Sequence, residues 1–152
     1  RSDRDWSSDV CSSDLLWPGF CPTHQRFHPE TVAAARDARP GSEILVHPEA
    51  PQPIRALADF LGSTGQIIDH CGTSGAGEFI ICTEEGVVHE LQKRYPDKRF
   101  HVPSHNATCP NMKKTSLQSV RNSLALDRYE VTVDPETAAA ANRALKRMMD
   151  AG

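Results

Sequence analysis

The chain has 152 residues, 38% of them hydrophobic and 24% charged, and a formal net charge of -3. That length suits one ordinary domain, or one domain with pieces of another, able to bury about two-thirds of its unfolded surface. The composition is that of a globular protein with no apolar run near the roughly 18 residues of a membrane span, so no membrane role is expected. The slight acidic excess excludes nucleic-acid binding through phosphates, which needs a basic surface, and leaves small-molecule chemistry as the default.

Five cysteines stand at positions 11, 21, 71, 82 and 109. An odd number at such wide spacing is no disulfide framework, so a reducing, cytoplasmic compartment is expected. The chain opens without Met, a basic stretch or an apolar stretch, so no signal peptide is expected here and the opening reads as mid-sequence. Residues 1 to 15 repeat Ser-Ser-Asp at 7 to 9 and 12 to 14 and lack periodicity; DVCSSDL resembles a translated sequencing-library adapter. This tail reads as non-native, which leaves Cys11 a poor ligand candidate.

From residue 29 the pattern alternates helix and strand, which points to parallel α/β layers. Pro29 and Glu30 open a helix that stops before Arg39-Pro40-Gly41, and the strand Ile44-Leu45-Val46 follows. A short helix with Ile54, Leu57 and Ala58 is expected to end near Gly62. Ser63 or Thr64 then caps a helix whose Ile67, Ile68 and Cys71 share a face, and the glycine-rich stretch at 72 to 77 stops it. Phe79 to Cys82 reads as a second buried strand, Gly86 leads a helix closed by Tyr95-Pro96, and Phe100 to Val102 is a third strand. Beyond Cys109 a helix with Leu117, Val120 and Leu124 is expected, then a strong terminal helix with Asp134 as N-cap and Pro135 at its first position.

Ligands of open parallel sheets bind at the carboxyl ends of the strands. Here those ends carry His47-Pro48-Glu49, Thr83-Glu84-Glu85 and Pro103-Ser104-His105, with Cys109 four residues further on. His47 and Glu49, two apart on an extended segment, can face one pocket as a titratable pair; a turn at Pro48 is the plainer account. Ser63 and Thr64 could hold a carboxylate or phosphate at a helix start, or simply cap it. Cys21 in WPGFCPTH and Cys109 in NATCPNMKK lie in turn-rich segments, each followed by Pro as in some iron-sulfur ligand runs, although a lone Cys is more often a small apolar core residue. Cys71 and Cys82 fit that core role. Lys113 and Lys114 could neutralise an anion near Cys109, while His28, His70, His89 and His101 have no evident partner in the sequence.

Taken in order, WPGFCPTH, VHPE, GST ahead of QII, FIICTEEG and PSHNATCPNMKK resemble the quinolinate synthase family, collinearly over about residues 16 to 150. The resemblance implies three similar αβα domains around a pseudo-threefold axis and a 4Fe-4S cluster held by one Cys from each. It implies condensation of iminosuccinate, supplied by L-aspartate oxidase, with dihydroxyacetone phosphate to quinolinate in NAD biosynthesis, and a homodimer as the expected assembly. By motif, Cys21 and Cys109 correspond to two cluster ligands, His47, Pro48 and Glu49 to substrate-contacting groups with Glu49 and His47 as the acid-base candidates, and Ser63 and Thr64 to carboxylate binders; Met112 and Lys113 correspond less firmly. The family's first cluster Cys lies upstream of the matched stretch, so the third ligand is missing from this chain, which alone is expected to be inactive.

The resulting division is a non-native tail at 1 to 15, a remnant of a preceding domain at 16 to 28 and a C-terminal αβα domain with its terminal helix at 29 to 152. Two other functions are open to these residues: a zinc-binding or structural α/β module using Cys21, His24, His105 and Cys109, and a phosphate-binding transferase domain using the helix start at Ser63.

Overall fold

A computed structural model describes residues 19–104 and 106–151. The tail at 1 to 15 and His105 therefore lie outside the described residues. The chain divides into two compact units, Gly19–Lys114 and the segment after it.

The first unit is a three-layer sandwich. Helix α1 (Pro29–Asp37) leads through a turn at Gly41, whose φ of 90° suits glycine, into β1 (Glu43–Val46). Then come α2 (Gln52–Arg55), β2 (Phe60–Leu61), α3 (Thr64–Thr73), β3 (Glu78–Cys82), α4 (Gly86–Arg94) and β4 (Arg99–His101). The four strands form one sheet in the order β2-β1-β3-β4, and every pairing is parallel.

Both faces of the sheet are covered, which explains why EILV and EFIIC are continuous apolar runs rather than alternating ones. Ile44, Val46, Ile80 and Cys82 point to one face, where Val32 of α1 and Ile54 of α2 pack with them. Leu45, Phe79 and Ile81 point to the other, against Ile67 and Cys71 of α3 and Leu91 of α4. Each fully buried aliphatic side chain contributes about 1.5–3 kcal/mol, so these two clusters dominate the stability of the unit.

Strand β2 corrects the expectation of three strands and of a helix running to near Gly62. Helix α2 stops at Arg55 because the chain is drawn onto β1: the Asp59 N–H donates to the Ile44 carbonyl at 2.9 Å, and the Ile44 N–H donates to Asp59 Oδ2 at 2.7 Å. The third expected strand is displaced by one residue, to Arg99–His101.

Residues 19 to 28 pack with this unit, where Phe27 joins the first core cluster and Thr23 and His24 are buried. In the second unit α5 (Leu117–Leu126) starts from a capping box, with Ser116 Oγ accepting from the Ser119 N–H and Ser119 Oγ from the Ser116 N–H. Leu117, Val120 and Leu124 of that helix are exposed. Helix α6 (Pro135–Ala151) begins as the sequence predicts, with Asp134 Oδ1 accepting from the Thr137 N–H at 2.9 Å. No helix among the described residues is long and apolar enough to cross a membrane.

Candidate functional site

Chain order reverses in the sheet between β1 and β3, since β2 lies on one side of β1 and β3 on the other. The carboxyl ends of β1 and β3 therefore open a crevice, the usual ligand position in such sheets. A cavity of about 610 Å³ lies there, lined by Cys21, His47, Glu49, Thr64, Cys109 and Lys113 among others. Five residues picked from scattered sequence motifs as candidates for the site, Cys21, His47, Glu49, Thr64 and Cys109, thus meet at one place. Pro48 and Ser63 do not line the cavity: Pro48 shapes the turn between His47 and Glu49, and Ser63 caps α3.

His24 is the hinge of the site. Only 6% exposed, it places Nε2 3.0 Å from the Thr83 hydroxyl just past β3 and stacks its ring on His47 just past β1, with centroids 4.5 Å apart. One side chain thereby locks the ends of both central strands together. Its Nδ1 lies 3.0 Å from Glu49 Oε2, but off the line of a hydrogen bond, so this buried nitrogen is left without a hydrogen-bond partner. Burial, and then the neighbouring His47, hold the His24 pKa below its ordinary 6.5 against the opposing pull of Glu49. His24 is a neutral imidazole at neutral pH.

Glu49 is half-exposed, with its N–H donating to His47 Nδ1 at 3.2 Å. His47 Nδ1 is thus an acceptor, and neutral His47 carries its proton on Nε2.

Glu84 anchors the other wall. It is buried to 6% exposure, and its Oε2 accepts from the Gly86 N–H at 2.7 Å while Oε1 accepts from the Cys109 N–H at 3.2 Å and faces Lys113 Nζ at 3.1 Å. Burial would raise its pKa, but the Cys109 N–H, Lys113 and the Gly86 N–H together bring it below the usual value. The carboxylate curls so tightly over the start of α4 that a Cβ on Gly86 would sit 2.6 Å from Oε2 and push it off its donors.

The Cys109 thiol lies over backbone N–H groups. Met112 N–H, Asn111 N–H and the Thr23 hydroxyl bring its pKa below the ordinary 9.0, outweighing desolvation and the Glu84 charge. Cys71 and Cys82, in contrast, are buried in the cores, and desolvation pushes their thiols up to about 11 and about 12. They are core residues, as the sequence reading has them. At α3, Ser63 Oγ accepts from the Gln66 N–H and Gln66 Oε1 accepts from the Ser63 N–H, a reciprocal cap that leaves Thr64 as the residue of the pair at the cavity.

Sequence reasoning set Thr83 and Glu84 at the strand ends where ligands bind but gave them no role, missed Thr23, and gave His24 only as a zinc ligand. Thr83 and Glu84 were detectable in principle, since they follow a strand at the same sheet edge as His47. Thr23 carries no such signal. Of the zinc set, His105 lies outside the described residues; among those described, Cys21, His24 and Glu49 come together, with donor atoms within 4.8 Å of one another. His70 and His101 acquire partners that the sequence did not suggest, Glu43 at 2.7 Å and Glu78 at 2.6 Å.

Known proteins resemble this chain over nearly all of its length. A quinolinate synthase of Caldicellulosiruptor saccharolyticus is 47% identical over 136 residues, which is 90% of this chain and 45% of that protein. The quinolinate synthase of Methanoregula boonei is 46% identical over 135 residues and that of Clostridioides difficile 39% identical over 122 residues, spanning 45% and 40% of their lengths. The chain thus spans a little under half the length of these relatives. The family described as Quinolinate synthetase A protein matches residues 7 to 150, and the chain belongs to that family.

Proposed function

We propose that this chain is the part of a quinolinate synthase that carries two cluster thiolates and the Glu49 acid-base group. The parent enzyme then condenses iminosuccinate, supplied by L-aspartate oxidase, with dihydroxyacetone phosphate to give quinolinate, losing phosphate and water, in NAD biosynthesis. The observation that carries this reading is the convergence of Cys21 and Cys109 with His47 and Glu49 on one cavity at the ends of β1 and β3. The names of the relatives support the reaction.

The donors suit a 4Fe-4S cluster. Cys21 and Cys109 line the same cavity, and Cys109 is turned toward its thiolate form by N–H groups, the kind of contact that tunes cluster sulfurs. Cys21 and Cys109 would hold two irons, and a third thiolate would come from sequence of the parent that this chain does not span. When bound with three thiolates, such a cluster supplies an open iron as a Lewis acid. The remaining steps fall to the chain's own groups. Glu49, half-exposed at the cavity edge, takes and returns protons; His47, with its proton on Nε2, donates a hydrogen bond to a substrate oxygen; Thr64 and the free N–H groups at the start of α3 hold a carboxylate or phosphate. Glu84 fixes the Cys109 loop from below.

Anaerobic assembly with iron and sulfide tests this. In the parent protein extended at its N-terminus, Cys109→Ser should abolish the 4Fe-4S absorbance and quinolinate formation; retention of both would reject Cys109 as a ligand. The 152-residue chain alone should form no stable full cluster and no quinolinate, and a complete cluster on it would overturn the division of ligands.

A further inference from the structure

We infer that Cys21, His24 and Glu49 form a three-donor site for a single divalent transition metal of the zinc type, separate in kind from any iron-sulfur cluster but sharing Cys21 with it. The three donor atoms, one sulfur, one imidazole nitrogen and one carboxylate oxygen, lie within 4.8 Å of one another. Zinc bonds of about 2.3 Å to sulfur and about 2.0–2.2 Å to nitrogen and oxygen put tetrahedral ligands roughly 3.3–3.8 Å apart, so small side-chain adjustments close the site. The mixture of thiolate, imidazole and carboxylate suits zinc or ferrous iron rather than magnesium or calcium, which take oxygen donors alone.

An independent observation also points to a ligand. His24 Nδ1 is buried, lies 3.0 Å from Glu49 Oε2, and yet makes no hydrogen bond. A buried nitrogen with its lone pair free is costly unless something binds it. The opposite ring nitrogen meets the Thr83 hydroxyl at 3.0 Å, the outer contact that orients metal-binding histidines. If the Thr83 hydroxyl accepts from Nε2–H, Nδ1 is left as a lone-pair donor into the cavity. All three residues line the cavity, so water or another small ligand from it completes the coordination. This ligand set differs from the zinc site that sequence spacing offered, because Glu49 takes the place given there to His105 and Cys109. Since one thiolate cannot serve both, a metal here withdraws Cys21 from cluster assembly.

The site does not depend on the quinolinate synthase reading, and metal binding to the chain tests it directly. The reduced, metal-free 152-residue chain is titrated anaerobically with Co²⁺ as an optical probe and with Zn²⁺ against a chromophoric chelator. One equivalent of Co²⁺ should bind with a sulfur-to-metal charge-transfer band and the strong visible bands of tetrahedral coordination, and Zn²⁺ should displace it. Glu49→Gln, at an exposed position that the fold tolerates, and His24→Ala should each weaken Zn²⁺ binding at least about tenfold. Cys21→Ser should remove the charge-transfer band, while Cys109→Ser and His105→Ala should retain one tight equivalent. Unchanged affinity in Glu49→Gln, or loss of binding in Cys109→Ser or His105→Ala, would overturn the assignment, as would octahedral Co²⁺ spectra without a sulfur band.

Discussion

The Cys109 N–H donates to Glu84 Oε1 at 3.2 Å, so a carboxylate at the end of β3 holds the loop that presents a candidate thiolate 25 residues later. The same carboxylate receives the Gly86 N–H and pairs with Lys113. Removing it strands two backbone donors and one ammonium. Glu84→Ala should therefore lower stability by about 1–3 kcal/mol, the cost of orphaned buried donors, and Glu84→Gln should lose less because it keeps one acceptor oxygen. Urea denaturation followed by circular dichroism measures both. A Glu84→Ala protein as stable as the parent would mean that water replaces the carboxylate.

Thiol reactivity should separate the cysteines by environment. Cys109 is turned toward its thiolate by the Met112 and Asn111 N–H groups and the Thr23 hydroxyl, whereas burial holds Cys71 and Cys82 at about 11 and about 12. Because only the thiolate attacks, iodoacetamide at neutral pH should modify Cys109 more than about tenfold faster than Cys71 or Cys82, which should react only when the chain unfolds. Thr23→Val, nearly isosteric at a buried position, should slow Cys109 and shift its rate profile to higher pH. Peptide-resolved mass spectrometry reads the rates, and equal rates for Cys109 and Cys82 would refute the assignment.

The layered fold was legible in the sequence because β1 and β3 are short unbroken apolar runs between helix signals, a pattern that physics gives only to strands covered on both faces. Strand β2 was not, because two residues hold no periodicity and their placement depends on Asp59 reaching back to Ile44 across the sheet. The site divides in the same way. His47 and Glu49 could be found because they follow a strand directly. Glu84 follows a strand too, but its role, like the whole part played by Thr23, lies in contacts with Cys109 and Lys113 that only the closed fold brings about. Cys21 and Cys109 stand between these cases: alone each resembles a core thiol, and only the ordered set of motifs distinguishes them from Cys71 and Cys82.

The start of α3 offers a test of fold against function. Ser63 caps that helix through a reciprocal pair of hydrogen bonds with Gln66, while Thr64 lines the cavity. Ser63→Ala should cost about 1 kcal/mol of stability, the usual value of a lost cap. Thr64→Val should leave the denaturation midpoint within about 0.5 kcal/mol, as exposed substitutions do. In the extended parent, Thr64→Val should instead weaken substrate binding, seen as a raised KM. A destabilised Thr64→Val protein with unaltered KM would reverse the two roles.

Acid should weaken the fold through Glu43, which joins the start of β1 to the end of α3. The Ser74 hydroxyl donates to Glu43 Oε1 at 2.7 Å, and His70 Nε2 lies 2.7 Å from Oε2. The Ser74 bond is the largest influence on this carboxyl, burial opposes it, and His70 and Lys98 add to it, so the folded pKa falls below the ordinary 4.5. A depressed carboxyl pKa means that the unfolded chain binds more protons. The stabilisation is then complete above the unfolded value and is lost as pH falls through the folded one. Glu84 acts in the same direction. The contribution of these carboxylates to the urea midpoint should accordingly hold steady from neutral pH down to about pH 5 and then drop, whereas His24, whose folded pKa is also lowered, withdraws its own share from about pH 6.5 downward. Ser74→Ala removes the main cause of the shift, so the variant should be less stable than the parent at pH 7, and the gap should narrow as the pH falls through the lowered Glu43 pKa of the folded parent. A gap that stayed constant with pH would show that Ser74 acts only as a neutral helix-end contact and that the Glu43 charge contributes nothing to the fold.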